Sequence, residues 1–551
     1  MTSLAELRVE CNWVNIMTID SLYNKMDKSN YFIGRVSQVY RDNSVVQVEN
    51  LSVLSHRKLL DESLIPNTIN YLVVIDSVRG VFLGEVFQNK VGSSDKIHDS
   101  INFGNTESVY PELNIDVIGI MADDDRKFRL PEFTTVGINE KVYFANEKVI
   151  QVYLQSVETT KTSEVQLKSF ATYLNMNDVE VSFKPSTLFD HHLFAVGTTN
   201  SGKSTSALSI LDKLIEENKK ILIIDPTGEY RDSFSEQEVK KLNLGVDTIV
   251  SPSKLSMQQW SVLFEMNSNT QGAVLAEAIK SLRYQHKNGE NCCLEKVGKN
   301  IAQLQKDLAS IKNDDNDFDI SLLPEQIAAE SVEEAKKGTV YDYSIFRANS
   351  NSYLVQKVSY QLSNTKFLEF FKYDSQKKNL LDEIETFIHT PNASLYINSS
   401  ALGASEGIGG MIIDLICNCL ISQDKIIPFV FFIDEVHRYT KSPYSEEEFH
   451  DGLVLLAREG RKKGIFLFLT SQNPQDVSPI LLGQMGTLLI HRLTHDDEIR
   501  TVKNHLDEYS VKQVKKLNCG EAILTSVNLI NNIYLNITKC ERKQYNDTPL
   551  L

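Results

Sequence analysis

The sequence predicts an α/β protein: a parallel sheet flanked by helices, preceded by a small all-β domain and interrupted by a mainly helical insertion. Three observations carry this. Between about Tyr31 and Tyr153, short runs rich in β-branched and aromatic residues follow one another, bounded by Gly, Asn, Asp or Pro. From about Leu188 the pattern changes to strand, glycine-containing loop, helix, strand, which signals a parallel sheet with helices on its faces. Between about Gln271 and Glu385 the periodicity is mostly helical. The chain has 551 residues, room for roughly three or four domains at about 150 residues each. The expected division is an N-terminal extension over 1–27, a small β-barrel or sandwich over 28–155, the first part of the α/β core over 156–270, the helical insertion over 271–385, and the rest of the core with a C-terminal segment over 386–551.

In chain order, the first β region holds expected strands at Tyr31–Tyr40, Ser44–Glu49, Tyr71–Asp76 and Gly80–Val86, with two more at Asp116–Met121 and Lys148–Leu154. Strands this short, in series, suit a small barrel or sandwich. In the core, Leu193–Val196 reads as a strand, and Ser204–Lys219 as an amphipathic helix with Ala207, Leu208, Leu211, Leu214 and Ile215 on one face. Further strands are expected at Ile221–Asp225, Ser394–Asn398, Phe429–Asp434 and Ile465–Thr470. The insertion is read as helices at Ala273–Tyr284, Leu294–Ile311 and Pro324–Lys337, with an acidic loop at Asn313–Asp319.

Composition narrows the function classes. At 42% hydrophobic and 24% charged residues the chain is ordinary globular protein, not disordered or collagenous. Its net charge of −16 repels phosphate, so any contact with nucleic acid must be gathered in one place. No run approaches the ~18 apolar residues of a membrane span, and Met1–Glu10 carries acids without an apolar core, so neither a membrane helix nor a secretory leader is expected. Seven cysteines without C-x-x-C spacing suit reduced thiols in a cytoplasm. Cys417 and Cys419 are expected as buried helix residues rather than metal ligands.

Gly197-Thr198-Thr199-Asn200-Ser201-Gly202-Lys203-Ser204, followed by Thr205, fits G-x-x-x-x-G-K-[ST]. It stands between a strand and a helix, where backbone N–H groups at the helix N-terminus face an anion and glycine lets the backbone close in. Lys203 supplies a positive charge for the β and γ phosphates of ATP, and the Ser204 hydroxyl is placed for Mg²⁺. The apolar run Pro428–Ile433 ends in Asp434 and Glu435. A parallel sheet presents functional residues at strand C-termini, so Asp434 is expected in the Mg²⁺ shell and Glu435 beside an attacking water. Asp225 and Glu229, in Asp225-Pro-Thr-Gly-Glu-Tyr230, lie at the same sheet edge. Each is open to two readings: contact with the metal shell or a neighbouring subunit, or a plain turn. Gln472, after the run Phe466–Thr470, is placed to sense the γ-phosphate or orient water.

These motifs, with Ile433-Asp-Glu-Val-His437, Ala457-Arg-Glu-Gly-Arg-Lys-Lys-Gly464 and Thr470-Ser-Gln-Asn-Pro474 in that order, resemble HerA, the hexameric DNA-translocating ATPase family of the FtsK-related branch of P-loop NTPases. The resemblance runs from about Asn30 to the C-terminus and is weakest in Gln271–Glu385. It implies a RecA-like core, an N-terminal HAS barrel, and a homohexamer with ATP at the subunit interfaces. Glu435 carries over as the catalytic glutamate. The segment Arg458–Arg461 carries over as the region of the trans-acting arginine finger, with Arg461 the first choice and Arg458 the second. His191 and His192 stand where many relatives carry an arginine. The family's partners imply duplex DNA and a separate effector, a nuclease or a sirtuin-like NADase docking at the barrel, in antiviral defence. The reading is therefore a cytoplasmic, membrane-free ATPase motor on duplex DNA. Its rivals are a ring that gates an effector without processive translocation, and a conjugation or secretion ATPase. For phosphate contact the candidates are Arg438 and Lys441, in the loop after the acidic strand end, and then Lys254.

Overall fold

The computed structural model describes all residues except 1–18, 24–27, 42, 56, 60–61, 65–70, 123–126, 161–162, 175–178, 265, 267–268, 313–316, 337, 364–367, 369, 372–373, 375, 403–407, 441–450 and 546–551. The chain divides into two compact units. One comprises 1–164, 173–179 and 525–534; the other comprises 165–172, 180–524 and 535–551.

The first unit is built on a closed six-stranded antiparallel barrel. Its strands, around the barrel, are Phe32–Val39, Ser44–Val48, Glu112–Met121, Gly80–Lys90, Leu72–Ser77 and Lys141–Phe144. Closure removes the unpaired edges that a sheet of such short strands would expose. Ile33, Val46, Val73, Ile75, Phe82 and Leu113 are fully buried, and each contributes roughly 1.5–3 kcal/mol on leaving water. Gly34 is required at the crossing of the first two strands, because a Cβ there would lie 2.0 Å from the Gln47 carbonyl oxygen. The strand expected at Lys148–Leu154 is instead part of a helix, Glu147–Ser156. The Asn146 side chain caps it by accepting from the Val149 N–H, and Val149, Tyr153 and Ser156 are buried at helical spacing. The cap and the 4,3 spacing override the β-branched composition that suggests a strand.

The second unit is built on an eleven-stranded sheet, of whose strands only Tyr173, Thr525–Ser526 and Ile533–Tyr534 are counted in the first unit. Its order is Glu180–Val181, Ala171–Tyr173, Ile533–Ile537, Glu521–Ser526, Thr487–Ile490, Leu193–Val196, Ile465–Ser471, Phe429–Ile433, Ile221–Asp225, Ser394–Asn398 and Val239–Asn243. From Thr487–Ile490 to Val239–Asn243 the neighbours are parallel. Registers such as Val196 opposite Ser471 and Ile490 bring the strand C-termini to one rim. The central strands are buried on both faces, which is why they read as unbroken apolar runs. The flanking strands carry no such signal: Val239–Asn243 is Val-Lys-Lys-Leu-Asn, half exposed, and the edge pair is two and three residues long.

Lys203–Glu216 is helical, and it is buried on more than one face: Ser206, Ser209 and Asp212 are buried together with Ala207, Leu208, Ile210 and Leu211. Ser206 Oγ donates to the Gly202 carbonyl (3.0 Å), and the C-terminal segment explains the other two polar members. Ser209 Oγ donates to the Thr538 carbonyl (2.8 Å), and Arg542 Nε donates to Asp212 Oδ1 (2.6 Å). The same arginine reaches Glu238 (2.8 Å), and Gln544 Nε2 donates to Glu229 Oε1 (2.7 Å).

The insertion is mainly helical: Asn269–Lys287, Ile301–Ala309, Leu323–Ala329, Ile345–Leu362 and Leu380–His389. Two of these helices are shorter than expected. The helix expected from Leu294 begins at Ile301, where Asn300 accepts from the Gln303 N–H, and the one expected to Lys337 stops at Ala329. A hairpin follows it, Val332–Glu334 with Tyr341–Tyr343. Of the acidic loop, 313–316 lie outside the described residues, and Asp319 caps the next turn. Cys417 is buried in the helix Ile408–Ser422 and Cys419 half-buried. Among the described residues, no helix is long and apolar enough to cross a membrane.

Candidate functional site

The site lies on the rim of strand C-termini in the second unit. The loop after Leu193–Val196 turns back on itself: the Ser201 N–H bonds the Thr198 carbonyl (3.1 Å), and Asn200 and Gly202 take left-handed conformations, with φ of 62° and 100°. Gly202 then opens the helix Lys203–Glu216. Its lack of a side chain matters, because a Cβ would lie 2.8 Å from the Gly520 nitrogen. The loop is braced from outside: Thr198 N–H and Oγ1 both donate to the Arg492 carbonyl (3.1 Å), and the Gly520 N–H donates to the Ser201 carbonyl (3.0 Å). His491, fully buried, packs where a Cβ on Gly197 would sit. Its ring bonds the Glu521 carbonyl through Nδ1 (2.9 Å), and burial pushes its pKa down to about 4. Gly197 is buried, while Thr199 and Asn200 are exposed at the crown.

Asp434 and Glu435 stand on the same rim, two strands away. Thr470, from the strand between, holds both: its hydroxyl donates to Asp434 Oδ1 (2.6 Å) and accepts from the Glu435 N–H (2.9 Å). Glu435 has φ of +45°, so the chain turns sharply out of its strand there. Its carboxylate meets three partners. Lys203 Nζ donates to Oε1 (2.5 Å), Gln472 Nε2 donates to the same oxygen (3.1 Å), and His437 Nδ1 lies 3.1 Å from Oε2. Thr199 Oγ1 donates to the Gln472 side-chain Oε1 (3.1 Å), linking the crown of the loop to the acid. Burial alone would raise the Glu435 carboxyl. Hydrogen bonding from His437, the Lys203 charge and its hydrogen bond overcome that and hold it at about 2. Asp434 goes the other way: burial, then the Glu435 charge, push it up to about 7.

That imbalance fits a divalent cation, whose charge would offset a buried carboxylate that the protein leaves undercompensated. The donors beside the loop, the Ser204 hydroxyl and the Asp434 carboxylate, are hard oxygens of the kind Mg²⁺ takes. The loop itself fits a polyphosphate. Ser201 Oγ is buried and has no hydrogen-bond partner among the described residues, and the backbone of 198–203 curls over a helix N-terminus. Glycine-lysine loop, strand-end acid pair and polar Gln472 are thus brought together as the sequence predicts.

Asp225 is not part of this arrangement. Its Oδ1 accepts from the N–H groups of Thr227 and Gly228 and from the Thr227 hydroxyl, and Oδ2 from Tyr230 N–H and Tyr396 OH. The turn reading holds. Glu229 comes closer: burial raises its carboxyl, against hydrogen bonds from Gln544 and the Ser204 hydroxyl.

Arg458 and Arg461 are exposed, three residues apart on the helix Asp451–Lys463. That helix leads through Gly464 into the strand start at Ile465, so Arg461 sits at the sheet edge opposite the rim, roughly 20 Å from it at ~3.3 Å per strand residue. Its guanidinium bonds His191 (2.7 Å), just before the loop strand, while His192 bonds the Ala457 carbonyl (2.8 Å). Arg461 therefore does not join Lys203 and Glu435 of its own chain. Arg438 follows Glu435 by three residues, exposed, on the short helix His437–Thr440. Lys254 is 3.8 Å from Asp382. Lys441 lies outside the described residues. Four further positions support the site without having been expected there: Thr470, His491, Arg492 and Gly520. For Thr470 alone the sequence holds a signal, its place at the end of an apolar strand.

Comparison with known proteins agrees with this geometry. A family described as "Helicase HerA, central domain" matches residues 170–407. A probable DNA double-strand break repair helicase HerA of Methanocaldococcus jannaschii is 21% identical over 441 residues, covering 74% of this chain and 82% of the relative. A probable helicase of the same organism is 24% identical over 367 residues, 63% of this chain, and the chain spans 62% of that relative's length. Among solved structures, VirB4 of Thermoanaerobacter pseudethanolicus aligns at a TM-score of 0.47 and 13% identity, over 69% of this chain and 99% of that one. Over residues 170–407 the chain is thus similar to the central domain of HerA helicases, and its phosphate loop and acid pair, on one rim, form the site of a P-loop ATPase that takes ATP and Mg²⁺.

Proposed function

We propose that the chain is the subunit of a homohexameric motor that couples ATP hydrolysis to movement along duplex DNA. The observation that carries its ATP-hydrolysing part is the Lys203–Glu435 pair, buried on the rim and shared with Gln472, while assembly and DNA rest on the similarity to HerA helicases. In it the phosphate-binding cation and the base are each other's partner. The γ-phosphate of ATP competes for Lys203, and Lys203 leaving Glu435 frees one carboxylate oxygen to accept a proton from an attacking water. Gln472 and His437 keep that carboxylate oriented, and Thr199 ties Gln472 to the loop that wraps the phosphates. Ser204 and Asp434 would hold Mg²⁺, which supplies charge neutralisation on the β and γ phosphate oxygens.

Arg461 acts on a neighbour's ATP in this reading, since its place at the far edge of the sheet keeps it from its own. An arginine there neutralises charge on the transferring phosphoryl group; Arg458, one turn back, is the alternative. The same reading places a separate effector, a nuclease or NADase, at the barrel, in antiviral defence. It rests there on the resemblance alone. The test is single-turnover hydrolysis by Glu435→Gln: ATP should bind and persist. If the variant turns over at the wild-type rate, Glu435 is not the base.

A further inference from the structure

We propose that the outward face of the insertion helix Ile345–Leu362 is a DNA-binding surface that takes the phosphate backbone of a duplex, an assignment that rests on the DNA-motor reading above. The helix has two unlike sides. Asn351, Leu354, Val358 and Leu362 are buried, and the helix packs there on Leu323–Ala329. Opposite them Phe346 is 80% exposed, Tyr353 57% and Tyr360 77%. These three recur every seven residues, so they drift only ~20° per step and form one stripe, roughly 21 Å long at ~1.5 Å per residue.

Charge selects the occupant. From Tyr343 to Leu368 the sequence contains no Asp or Glu, in a chain that has 73 of them. Lys357 lies on the stripe, 5.9 Å from the centre of the Tyr353 ring, and Arg347, exposed in the first turn, stands about 100° round the helix from Phe346. The exposed positions between the aromatics are amides and hydroxyls. Ser350 and Ser352 donate back to helix carbonyls, and Asn349, Gln356, Ser359 and the tyrosine hydroxyls are the further exposed polar groups. Arg, Lys, Asn, Gln and Tyr are the side chains that bond phosphate oxygens. The nearby acids, Glu333, Glu334 and Asp342, sit in the hairpin before the helix, where Glu333 accepts the Ser344 hydroxyl (2.7 Å). They border one end of the stripe and leave its length from Phe346 to Tyr360 without an acid of its own. In an acidic protein that must gather its phosphate contacts locally, this is the longest run of sequence free of acids, and it needs no part of the ATP site.

The experiment uses the full-length protein and a fluorescein-labelled duplex of about 40 base pairs, titrated from about 50 to 200 mM salt. Two variants are compared with wild type: Arg347→Ala with Lys357→Ala, and Phe346→Ser with Tyr353→Ser and Tyr360→Ser. All five positions are outside the ATP site, so DNA-independent ATPase should be unchanged. The proposal expects the double variant to lose about tenfold in affinity at low salt and to flatten the slope of log K against log salt by roughly two units, ~0.9 per phosphate contact. The triple variant should lose about tenfold with little change in slope. Wild-type affinity and slope in both variants would overturn the assignment while leaving the motor reading standing. A shift in elution size with DNA binding intact would likewise overturn it and assign the face to a second copy of the chain. A wild-type protein that binds no duplex at any salt would overturn both.

Discussion

Replacing Glu435 by Gln does more than remove a base, because Glu435 is also the counter-ion of Lys203. The two are almost fully buried, 2.5 Å apart. Removing one member of a buried pair costs about 3–5 kcal/mol. The amide still accepts from Lys203 and still meets Gln472 and His437, so the low end, about 3 kcal/mol, is expected. At the size of this core that corresponds to a fall in melting temperature of roughly 5–10 °C. ATP reverses the loss, since the phosphates now neutralise Lys203. The variant should therefore gain about 3 kcal/mol more from ATP·Mg²⁺ than wild type, which is about a hundredfold tighter binding. Hydrolysis should fall by about 10²–10⁴, the usual worth of a general base. Thermal melts with and without ATP, together with a phosphate-release assay, read all three quantities. A variant that melts like wild type, binds ATP no tighter and hydrolyses it normally would refute the account of the pair.

Lys203→Ala should abolish ATP binding, measured by equilibrium titration with a fluorescent ATP analogue, because no other loop side chain brings a positive charge to the phosphates. Gly202→Ala should weaken ATP binding at least tenfold: a φ of 100° costs a non-glycine residue about 1–3 kcal/mol, and the new Cβ meets the Gly520 backbone at 2.8 Å. Arg461→Ala should leave ATP binding intact and suppress hydrolysis by the assembled protein. Mixed with Lys203→Ala subunits it should regain part of that activity, since some interfaces then pair an intact loop with an intact arginine; no regain at any ratio counts against action in trans. Arg542→Ala should lower the melting temperature by a few degrees, as Asp212 and Glu238 lose their shared cation.

What is legible in the sequence is whatever consecutive residues spell out. A phosphate loop needs glycines where the backbone turns left-handed and a lysine at the helix start, and a strand buried on both faces needs an unbroken apolar run. So Gly197–Ser204, Asp434, Glu435 and Gln472 stand out together from residue type and spacing alone. The braces on the loop do not. Arg492 and Gly520 reach it from about 300 residues away through backbone groups, which any residue type carries. Asp225 leaves two readings open because a carboxylate that caps its own turn and one that faces a metal look alike in a string; five hydrogen bonds decide it. Lys148–Leu154 misleads because valine, isoleucine and tyrosine favour strands, while the cap at Asn146 lies outside the run. The stripe on Ile345–Leu362 has its period in plain view, but only the packing of Leu354 and Val358 shows which side faces outward.

In the motor reading, the rim site hydrolyses ATP in service of a duplex. The most direct measurement is the steady-state ATPase rate of the purified protein at low salt, with and without a long linear duplex, alongside Lys203→Ala. The rate should rise severalfold with duplex, decline as salt is added because phosphate contacts are lost, and vanish in the variant. A rate that is the same with and without duplex across the salt range, yet still lost in Lys203→Ala, would leave an ATPase and contradict the motor.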